Sequence, residues 1–164
     1  MESIIYNDDC FNKFASIPDK SVQLVVVDLP YNCTALKWDC AIDLEKMWIE
    51  LKRIGRENCQ YVFFCNTKRK DACVYGVQTG FHTENITGDR HPRSVIEFFK
   101  PKYRLHPTEK PLALCEWLIK TYSNEGDVVM DFTMGSGSTI IASINTNRKY
   151  IGIEKDKDIF LTAE

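Results

Sequence analysis

Residues 28–31, Asp-Leu-Pro-Tyr, join a carboxylate, a proline-fixed backbone and an aromatic ring directly after the apolar run VQLVVV. In an open α/β sheet, ligands bind at the carboxyl ends of the strands. These residue types suit a reaction at the amine of adenine, a poor nucleophile because its lone pair is delocalised into the ring. Asp28 can accept one N–H, the backbone carbonyl of Leu29 or Pro30 can accept the other, and Tyr31 can stack on an extruded base. The same residues would also suit a simple strand-ending turn.

A second candidate loop is DFTMGSGST, residues 131–139, between a predicted strand and a predicted helix. Gly135 and Gly137 allow a tight turn and the close approach of a ligand, and the helix N-terminus offers free N–H groups. Glu154 follows about 20 residues later, where a carboxylate can bind ribose hydroxyls. The series predicts a nucleoside cofactor, although a plain strand-to-helix turn would have the same glycines. Ile140 replaces the third glycine of the dinucleotide fingerprint, which argues against NAD.

The elements that position both loops alternate between apolar strands and amphipathic helices. This alternation predicts a single α/β domain with a mainly parallel sheet. Residues 66–89 are polar and predict a loop or weak structure. The predicted strands are 22–27, 60–65, 127–132 and 149–153, with a weaker pattern at 93–99, and the predicted helices are 43–54, 111–122 and 138–146.

Composition restricts the class of protein. The 164 residues suit one domain, and a net charge of -2 excludes a globally basic nucleic-acid coat. No apolar run approaches the roughly 20 residues of a membrane helix, and the N-terminus does not resemble a signal peptide. We therefore expect a cytoplasmic protein. The seven cysteines form no Cys-x-x-Cys pair, which predicts buried reduced thiols rather than a metal site.

Positive charge is concentrated in the middle of the chain. Residues 66–110 contain nine Lys and Arg against five Asp and Glu, together with all three histidines. A local basic patch on a nearly neutral protein fits contact with phosphates through one face, although an ordinary solvated loop would have a similar composition. The candidate DNA-binding residues are Lys68, Arg69, Arg90, Arg93, Lys102 and Arg104.

With these motifs in this order, the chain resembles the S-adenosylmethionine-dependent DNA amino-methyltransferases of the permuted beta class. In that class the catalytic motif precedes the cofactor motif, as residues 28–31 precede residues 131–139 here. Three further motifs match. Lys37-Trp38-Asp39 resembles the K-W-D of phage-type members, and His106-Pro-Thr-Glu-Lys-Pro111 resembles the family's H-P-T-x-K-P. Arg148-Lys-Tyr-Ile-Gly-Ile-Glu154 resembles its R-[K/R]-x-I-G-I-E.

The resemblance implies a Rossmann-like fold with helices on both faces of the sheet. It also implies methyl transfer from S-adenosylmethionine to a base amine in double-stranded DNA, without a metal. Asp at position 28 resembles the adenine-N6 type more than the cytosine-N4 type, which stays the alternative. The implied target-base site is Asp28, Leu29, Pro30 and Tyr31. The implied cofactor residues are His106, Thr108 and Lys110 at the methionine end, with Asp131, Phe132, Gly135, Ser136, Gly137, Thr139 and Glu154.

The chain departs from the family between residues 66 and 105. Family members place further strands and a target-recognition region there, whereas this chain has a short basic segment. The sequence also stops at Glu164, where we expect the closing helix of the family to begin. These departures leave two alternatives, a compact enzyme of low sequence specificity and an inactive remnant that binds cofactor or DNA. A homodimer could supply missing surface. RNA or protein methylation and a dinucleotide oxidoreductase fit the motifs less well.

Overall fold

The computed structural model describes residues 2–30, 42–64, 72–75 and 110–163. Within these ranges the chain forms one six-stranded sheet and five helices. The strands are β1 (Ile4–Asn7), β2 (Val22–Val27), β3 (Gly55–Phe64), β4 (Ala72–Tyr75), β5 (Val128–Asp131) and β6 (Lys149–Glu154). The helices are α1 (Cys10–Phe14), α2 (Leu44–Ile54), α3 (Leu112–Tyr122), α4 (Ser138–Asn145) and α5 (Lys157–Ala163).

The order of strands in the sheet is β1-β6-β5-β2-β3-β4. All neighbouring pairs are parallel except β3 and β4, which are antiparallel. The chain leaves β5 through α4 toward β6 on one side, and it leaves β2 through α2 toward β3 on the other side. The carboxyl ends of β5 and β2 therefore flank a topological switch point, the position where open α/β sheets bind ligands.

Helices cover both faces of the sheet, as the resemblance implied. On one face, α1 and α2 bury Phe14, Met47 and Leu51 against Val25 and Val27 of β2. On the opposite face, the core contains Cys115 and Leu118 of α3 and Ala142 of α4, packed with Leu24, Val26 and Val129. Because side chains alternate between the two faces of a strand, a strand covered on both sides needs apolar residues throughout. This explains the nearly continuous apolar run of β2.

Local signals in the sequence define α2. The Asp43 side chain accepts a hydrogen bond from the backbone N–H of Lys46, 3.1 Å away, and so caps the helix N-terminus. Its buried side chains, Met47, Leu51 and Ile54, follow helical spacing and face the sheet. The predicted helix at 43–54 is therefore confirmed, as are the helices predicted at 111–122 and 138–146 and the strands predicted at 22–27, 127–132 and 149–153, within one or two residues.

Several elements differ from the sequence-based expectation. β3 begins at Gly55 instead of residue 60, because a register shift lets Val22 pair with Gly55 and Leu24 with Gln60. β4 lies within the segment predicted as a loop or weak structure, whereas the weak strand pattern at 93–99 falls outside the described residues. The closing helix was expected to begin where the chain stops. Before that position the structure has the seven-residue helix α5, Lys157–Ala163.

Three of the seven cysteines have described side chains, and all three are buried free thiols. Burial raises the pKa of Cys10 and Cys59 to about 11 and that of Cys115 to about 12. The prediction of buried reduced thiols is confirmed for these three positions. Among the described residues, no helix has the length and apolar character needed to cross a membrane.

Candidate active site

The two loops identified from the sequence meet at the switch point. Asp28 follows the last residue of β2, and Asp131 is the last residue of the neighbouring strand β5. The hydroxyl of Thr133 donates a hydrogen bond to the backbone carbonyl of Asp28 over 3.0 Å. The structure therefore brings together two motifs that are about 100 positions apart in sequence, as the rule for parallel sheets requires.

Acidic residues lie at the carboxyl ends of four adjacent strands. Asp8 follows β1, Glu154 ends β6, Asp131 ends β5 and Asp28 follows β2, in the order in which these strands lie in the sheet. The backbone N–H of Asp8 donates to the carbonyl of Glu154 over 3.0 Å, which links the first two ends. We call these four residues the acidic edge. Asp8 forms an ion pair with Lys13 over 3.1 Å, and the carboxylates of Asp131 and Glu154 remain to complement positive charge on a ligand.

Asp131 is the most deeply buried member of the acidic edge, with 5% of its surface exposed. Burial raises its pKa to about 7, against the opposing effect of hydrogen bonds from Thr139 and from the backbone N–H of Thr133. The Thr133 N–H lies 3.1 Å from Asp131 Oδ1. These contacts fix the start of the glycine loop to the end of β5.

The glycine loop turns through two residues in the left-handed region. Gly135 has a φ of +54° and Gly137 a φ of +84°, which residues with a Cβ adopt only at a cost in energy. A Cβ placed on Gly135 would find no atom within 4 Å, so the backbone there faces open space that a ligand can approach. Ser136, Gly137 and Thr139 are buried beside it, and Phe132 packs in the core.

Glu154 holds the glycine loop. Its Oε2 accepts a hydrogen bond from the backbone N–H of Gly135 over 2.9 Å, and its Oε1 accepts from the N–H of Asp156 over 2.8 Å. The side chain is largely buried, and this burial raises its pKa. A carboxylate has about four lone-pair positions, so two such bonds leave acceptor capacity for hydroxyl donors of a ligand. The residue can therefore position the loop and bind a ribose together.

Lys110 occupies a position that the sequence did not predict. Its Nζ makes an ion pair with the carboxylate of Asp28, and it lies 5.1 Å from the centroid of the Phe64 ring. The side chains of Lys110 and Asp28 are 27% and 31% exposed, so the pair borders the open carboxyl edge of the sheet. The resemblance implied a place for Lys110 at the methionine end of the cofactor. In the structure its ammonium group is paired with Asp28, a contact that the sequence did not indicate.

Gly152 is a further residue of the site that sequence reasoning missed. A Cβ at this position in β6 would lie 2.5 Å from Met134 Sδ and 2.9 Å from both Ile140 Cδ1 and Ile5 Cγ2. In the dinucleotide fingerprint the third glycine permits close packing of helix on strand. Here Ile140 takes that place in α4, and Gly152 supplies the room from the strand. A glycine inside the strand pattern YIGIE was the available signal.

Some predicted site residues fall outside the described ranges. They are Tyr31, His106, Thr108, Lys68, Arg69, Arg90, Arg93, Lys102 and Arg104. Asp8 and Thr133, which the sequence did not single out, lie at the same edge as the predicted residues. In the ranges that the structure does cover, no group of three or more His, Cys, Asp or Glu side chains could hold a metal ion.

Residues 45–164, more than half of the chain, match the family model of the N6/N4 methyltransferases, described as DNA methylase. The chain belongs to this DNA methylase family. Its members are S-adenosylmethionine-dependent DNA methyltransferases that act at N6 of adenine or N4 of cytosine. The predicted fold, family and cofactor are therefore confirmed, while the choice between the two bases is not determined by membership.

Two curated relatives resemble parts of this chain. The type II methyltransferase M.HpaI of Haemophilus parainfluenzae is 37% identical over 92 residues, which are 53% of this chain and 29% of the relative. The DNA adenine methyltransferase YhdJ of Escherichia coli (strain K12) is 42% identical over 74 residues, which are 45% of this chain and 25% of the relative. The chain thus spans less than a third of the length of these relatives.

A solved structure extends the likeness over the whole fold. The M1.HpyAVI–SAM complex superposes on this chain with a TM-score of 0.66 and 22% sequence identity. The match covers 99% of this chain and 98% of that chain. At this identity the likeness establishes the fold. It confirms the Rossmann-like architecture with the mainly parallel sheet.

Proposed function

We propose that this DNA methylase transfers a methyl group from S-adenosylmethionine to the N6 amine of adenine in double-stranded DNA. The observation that carries the proposal is the contact between the candidate cofactor loop and the candidate target-base loop, through the hydrogen bond from Thr133 to the Asp28 carbonyl. Methyl transfer needs the cofactor and the amine side by side, because alignment of the reactants provides much of the acceleration. The switch point between β2 and β5 supplies that arrangement.

The residues present fit the proposed cofactor. S-adenosylmethionine supplies a methyl group on a sulfonium, whose neutral thioether is a good leaving group. The acidic edge is complementary to the positive charges of a sulfonium and an ammonium group. Gly135 leaves its backbone open to the ligand, and Glu154 keeps acceptor capacity for ribose hydroxyls. Asp131 lies at the start of the same loop, where its carboxyl group can orient the loop or accept from the ammonium group.

The role of Asp28 is to prepare the adenine amine. Its carboxylate accepts a hydrogen bond from one N–H, and the carbonyl of Leu29 or Pro30 accepts from the other. These two acceptors draw the nitrogen toward tetrahedral geometry, and the lone pair becomes available for attack. As the N–C bond forms and the C–S bond breaks, one amine proton leaves toward the carboxylate of Asp28. Tyr31 stacks on the base once it has left the helix.

DNA contact is assigned to the basic segment. We propose that residues 66–105 replace a longer target-recognition region within a single methyltransferase domain, residues 1–164. The carboxylates of the acidic edge outnumber the lysines paired with them, so we assign the phosphate contacts to positive charge elsewhere in the chain. Eight Lys and Arg in residues 66–105 supply this charge. A short segment reads few base edges, which predicts low sequence specificity.

The test measures cofactor binding and base methylation separately. Titration calorimetry of the purified chain should detect binding of S-adenosylmethionine. Long-read sequencing of DNA from an expressing host without adenine methylation should then detect N6-methyladenine. Asp28→Ala should abolish methylation and retain most of the cofactor affinity, whereas Glu45→Ala, at an exposed position in the first turn of α2, should change neither.

Each failure has its own meaning. Absence of cofactor binding would refute the whole proposal. Methylation at N4 of cytosine would refute the choice of base. Cofactor binding without any DNA methylation would identify the chain as a remnant that retains the cofactor site, and full activity of Asp28→Ala would exclude the proposed mechanism.

A further inference from the structure

We infer that Thr133 is a positioning residue that couples the cofactor loop to the target-base loop. This inference rests on the proposed function, since it assigns a role between the two proposed subsites. Thr133 is two residues beyond β5, in the loop that begins at Asp131. It makes one hydrogen bond to each side: its backbone N–H donates to Asp131 Oδ1, and its Oγ1 donates to the Asp28 carbonyl.

The hydrogen bond from Thr133 Oγ1 to the Asp28 carbonyl lies beyond the end of the strand pairing of β2. The parallel pairing of β2 with β5 includes Leu24 and Val25, and its pairing with β3 ends at Val27. Asp28 is therefore beyond the last paired position of β2. A side-chain hydroxyl from the cofactor loop binds its carbonyl over 3.0 Å. This contact attaches the chain to the β5 side three residues beyond Val25, the last residue of β2 that pairs with β5.

Fixing this carbonyl limits the conformations of the residues that follow. The peptide group between Asp28 and Leu29 is planar, so the position of the carbonyl also determines the direction of the Leu29 N–H. Pro30 has a nearly fixed φ, which removes one more rotation from the segment. The orientation of the acceptor carbonyls proposed for the base amine therefore depends on the Thr133 hydroxyl. The carboxylate end of Asp28 is held separately by Lys110.

The same residue transmits the state of the cofactor loop. Thr133 is anchored at Asp131 and lies two residues before Gly135, whose open side faces the proposed ligand. A ligand that orders this loop also orders the Thr133 side chain, and through it the Asp28 carbonyl. The coupling is expected to be worth one partly buried hydrogen bond, which corresponds to about a tenfold change in an equilibrium or a rate.

Three variants test the coupling. Thr133→Val keeps the shape of the side chain and removes the donor, whereas Thr133→Ser keeps the donor. The control is Thr121→Val in α3, which removes a similar bond from Thr121 Oγ1 to the Trp117 carbonyl over 2.7 Å. The probe is S-adenosylhomocysteine, and the readout that does not depend on activity is hydrogen–deuterium exchange in peptides covering residues 26–30 and 132–140.

In the unmodified chain, the probe should slow exchange in both peptides. In Thr133→Val it should still slow exchange in residues 132–140 and lose its effect in residues 26–30. The rate of methyl transfer at saturating cofactor should fall about tenfold, with the cofactor affinity changed by less than about twofold. Thr133→Ser and Thr121→Val should behave like the unmodified chain.

Equal protection of residues 26–30 in Thr133→Val and in the unmodified chain would overturn the inference. So would an equal loss in Thr133→Val and Thr133→Ser, because the effect would then come from altered packing instead of the hydrogen bond. Failure of the probe to protect residues 132–140 in the unmodified chain would instead refute the proposed cofactor site. If both peptides respond as expected but no variant methylates DNA, the coupling stands and the proposed activity fails.

Discussion

Asp131 combines deep burial with an ionisable group, and its protonation should affect stability. Its pKa rises from 3.8 to about 7 on folding, chiefly because burial disfavours the charged form. The folded state therefore binds the proton more tightly, and the stability associated with it is lost as pH increases from 3.8 to about 7. Asp131→Asn carries no titrating proton. Its stability relative to the unmodified chain should increase between pH 5 and pH 8 by on the order of 2–3 kcal/mol.

The measurement is urea unfolding of both proteins at several pH values across this range. Asp158→Asn is the control, because Asp158 lies at an exposed position in the first turn of α5. Parallel stability curves for Asp131→Asn and the unmodified chain would show that Asp131 is already ionised well below pH 7 in the folded protein.

The Lys110–Asp28 ion pair suggests one role for Lys110 and the family resemblance suggests another, and substitution of the lysine distinguishes them. If Lys110 holds the catalytic carboxylate, Lys110→Met should lower the rate at saturating cofactor about tenfold and leave the cofactor affinity nearly unchanged. If Lys110 instead binds the methionine carboxylate, the cofactor dissociation constant should increase and the saturated rate should persist. Calorimetry and single-turnover kinetics distinguish these results, and Lys110→Arg, which keeps the charge, should retain part of the rate.

At the scale of elements, the sequence predicted the strands that are buried on both faces and the helices that have a regular hydrophobic periodicity. β2, β5 and β6 are largely apolar runs, and α2 and α3 have helical spacing. The short elements carried weaker signals: β1 is a four-residue edge strand, α1 has five residues and α5 buries no side chain. The amino-terminal half of β3 is polar, which concealed its true start.

The position of several candidate residues was predictable, but the contacts between them were not. Asp28, Asp131 and Glu154 were predicted as site residues because strand ends and glycine turns have local signatures, and all three lie at the carboxyl edge of the sheet. The hydrogen bond from Thr133 and the ion pair from Lys110 each join Asp28 to a residue more than 80 positions away. Local patterns contain no information on which of many polar side chains will meet. Such contacts follow from the strand order, which places β2 beside β5.

The packing of β6 against the glycine loop and α4 is a testable property of these elements. Gly152→Ala would bring a Cβ within 2.9 Å of Ile140 Cδ1 and closer still to Met134 Sδ. The Met134 and Ile140 atoms lie toward the ends of flexible side chains, whereas Ile5 Cγ2, also 2.9 Å away, belongs to a stiff β-branched side chain. We therefore expect a loss of about 1–3 kcal/mol in the free energy of unfolding. Ile140→Val removes the Cδ1 atom and should recover part of this loss in the double variant.

Chemical denaturation of the four proteins of this cycle measures the interaction. Cofactor affinity should fall with Gly152→Ala, since the displaced Met134 belongs to the loop that carries Gly135. Additive effects of the two substitutions on stability would indicate that Gly152 and Ile140 do not compete for the same space.

At the scale of the whole molecule, charge is distributed unevenly along the sequence. The acidic edge lies at the carboxyl ends of β1, β6, β5 and β2, whereas residues 66–110 contain nine Lys and Arg against five Asp and Glu. One of these basic residues, Lys110, reaches the acidic edge and pairs with Asp28. A cationic cofactor and a polyanionic substrate favour opposite electrostatic potentials. The net charge of -2 is therefore a poor guide to either, because it averages segments of opposite charge.

The concentration of Lys and Arg in residues 66–110 predicts how DNA binding depends on salt. If residues 66–110 contact phosphates, the logarithm of the binding constant for a short mixed-sequence duplex should fall linearly with the logarithm of salt concentration. Arg93→Ala and Arg104→Ala should each weaken binding and reduce that slope by about 1, because each removes one phosphate contact and its released counterion. Arg56→Ala, at an exposed position of β3 outside this segment, should leave the slope unchanged. Unaltered slopes in both Arg93→Ala and Arg104→Ala would mean that DNA approaches the acidic edge from a different surface.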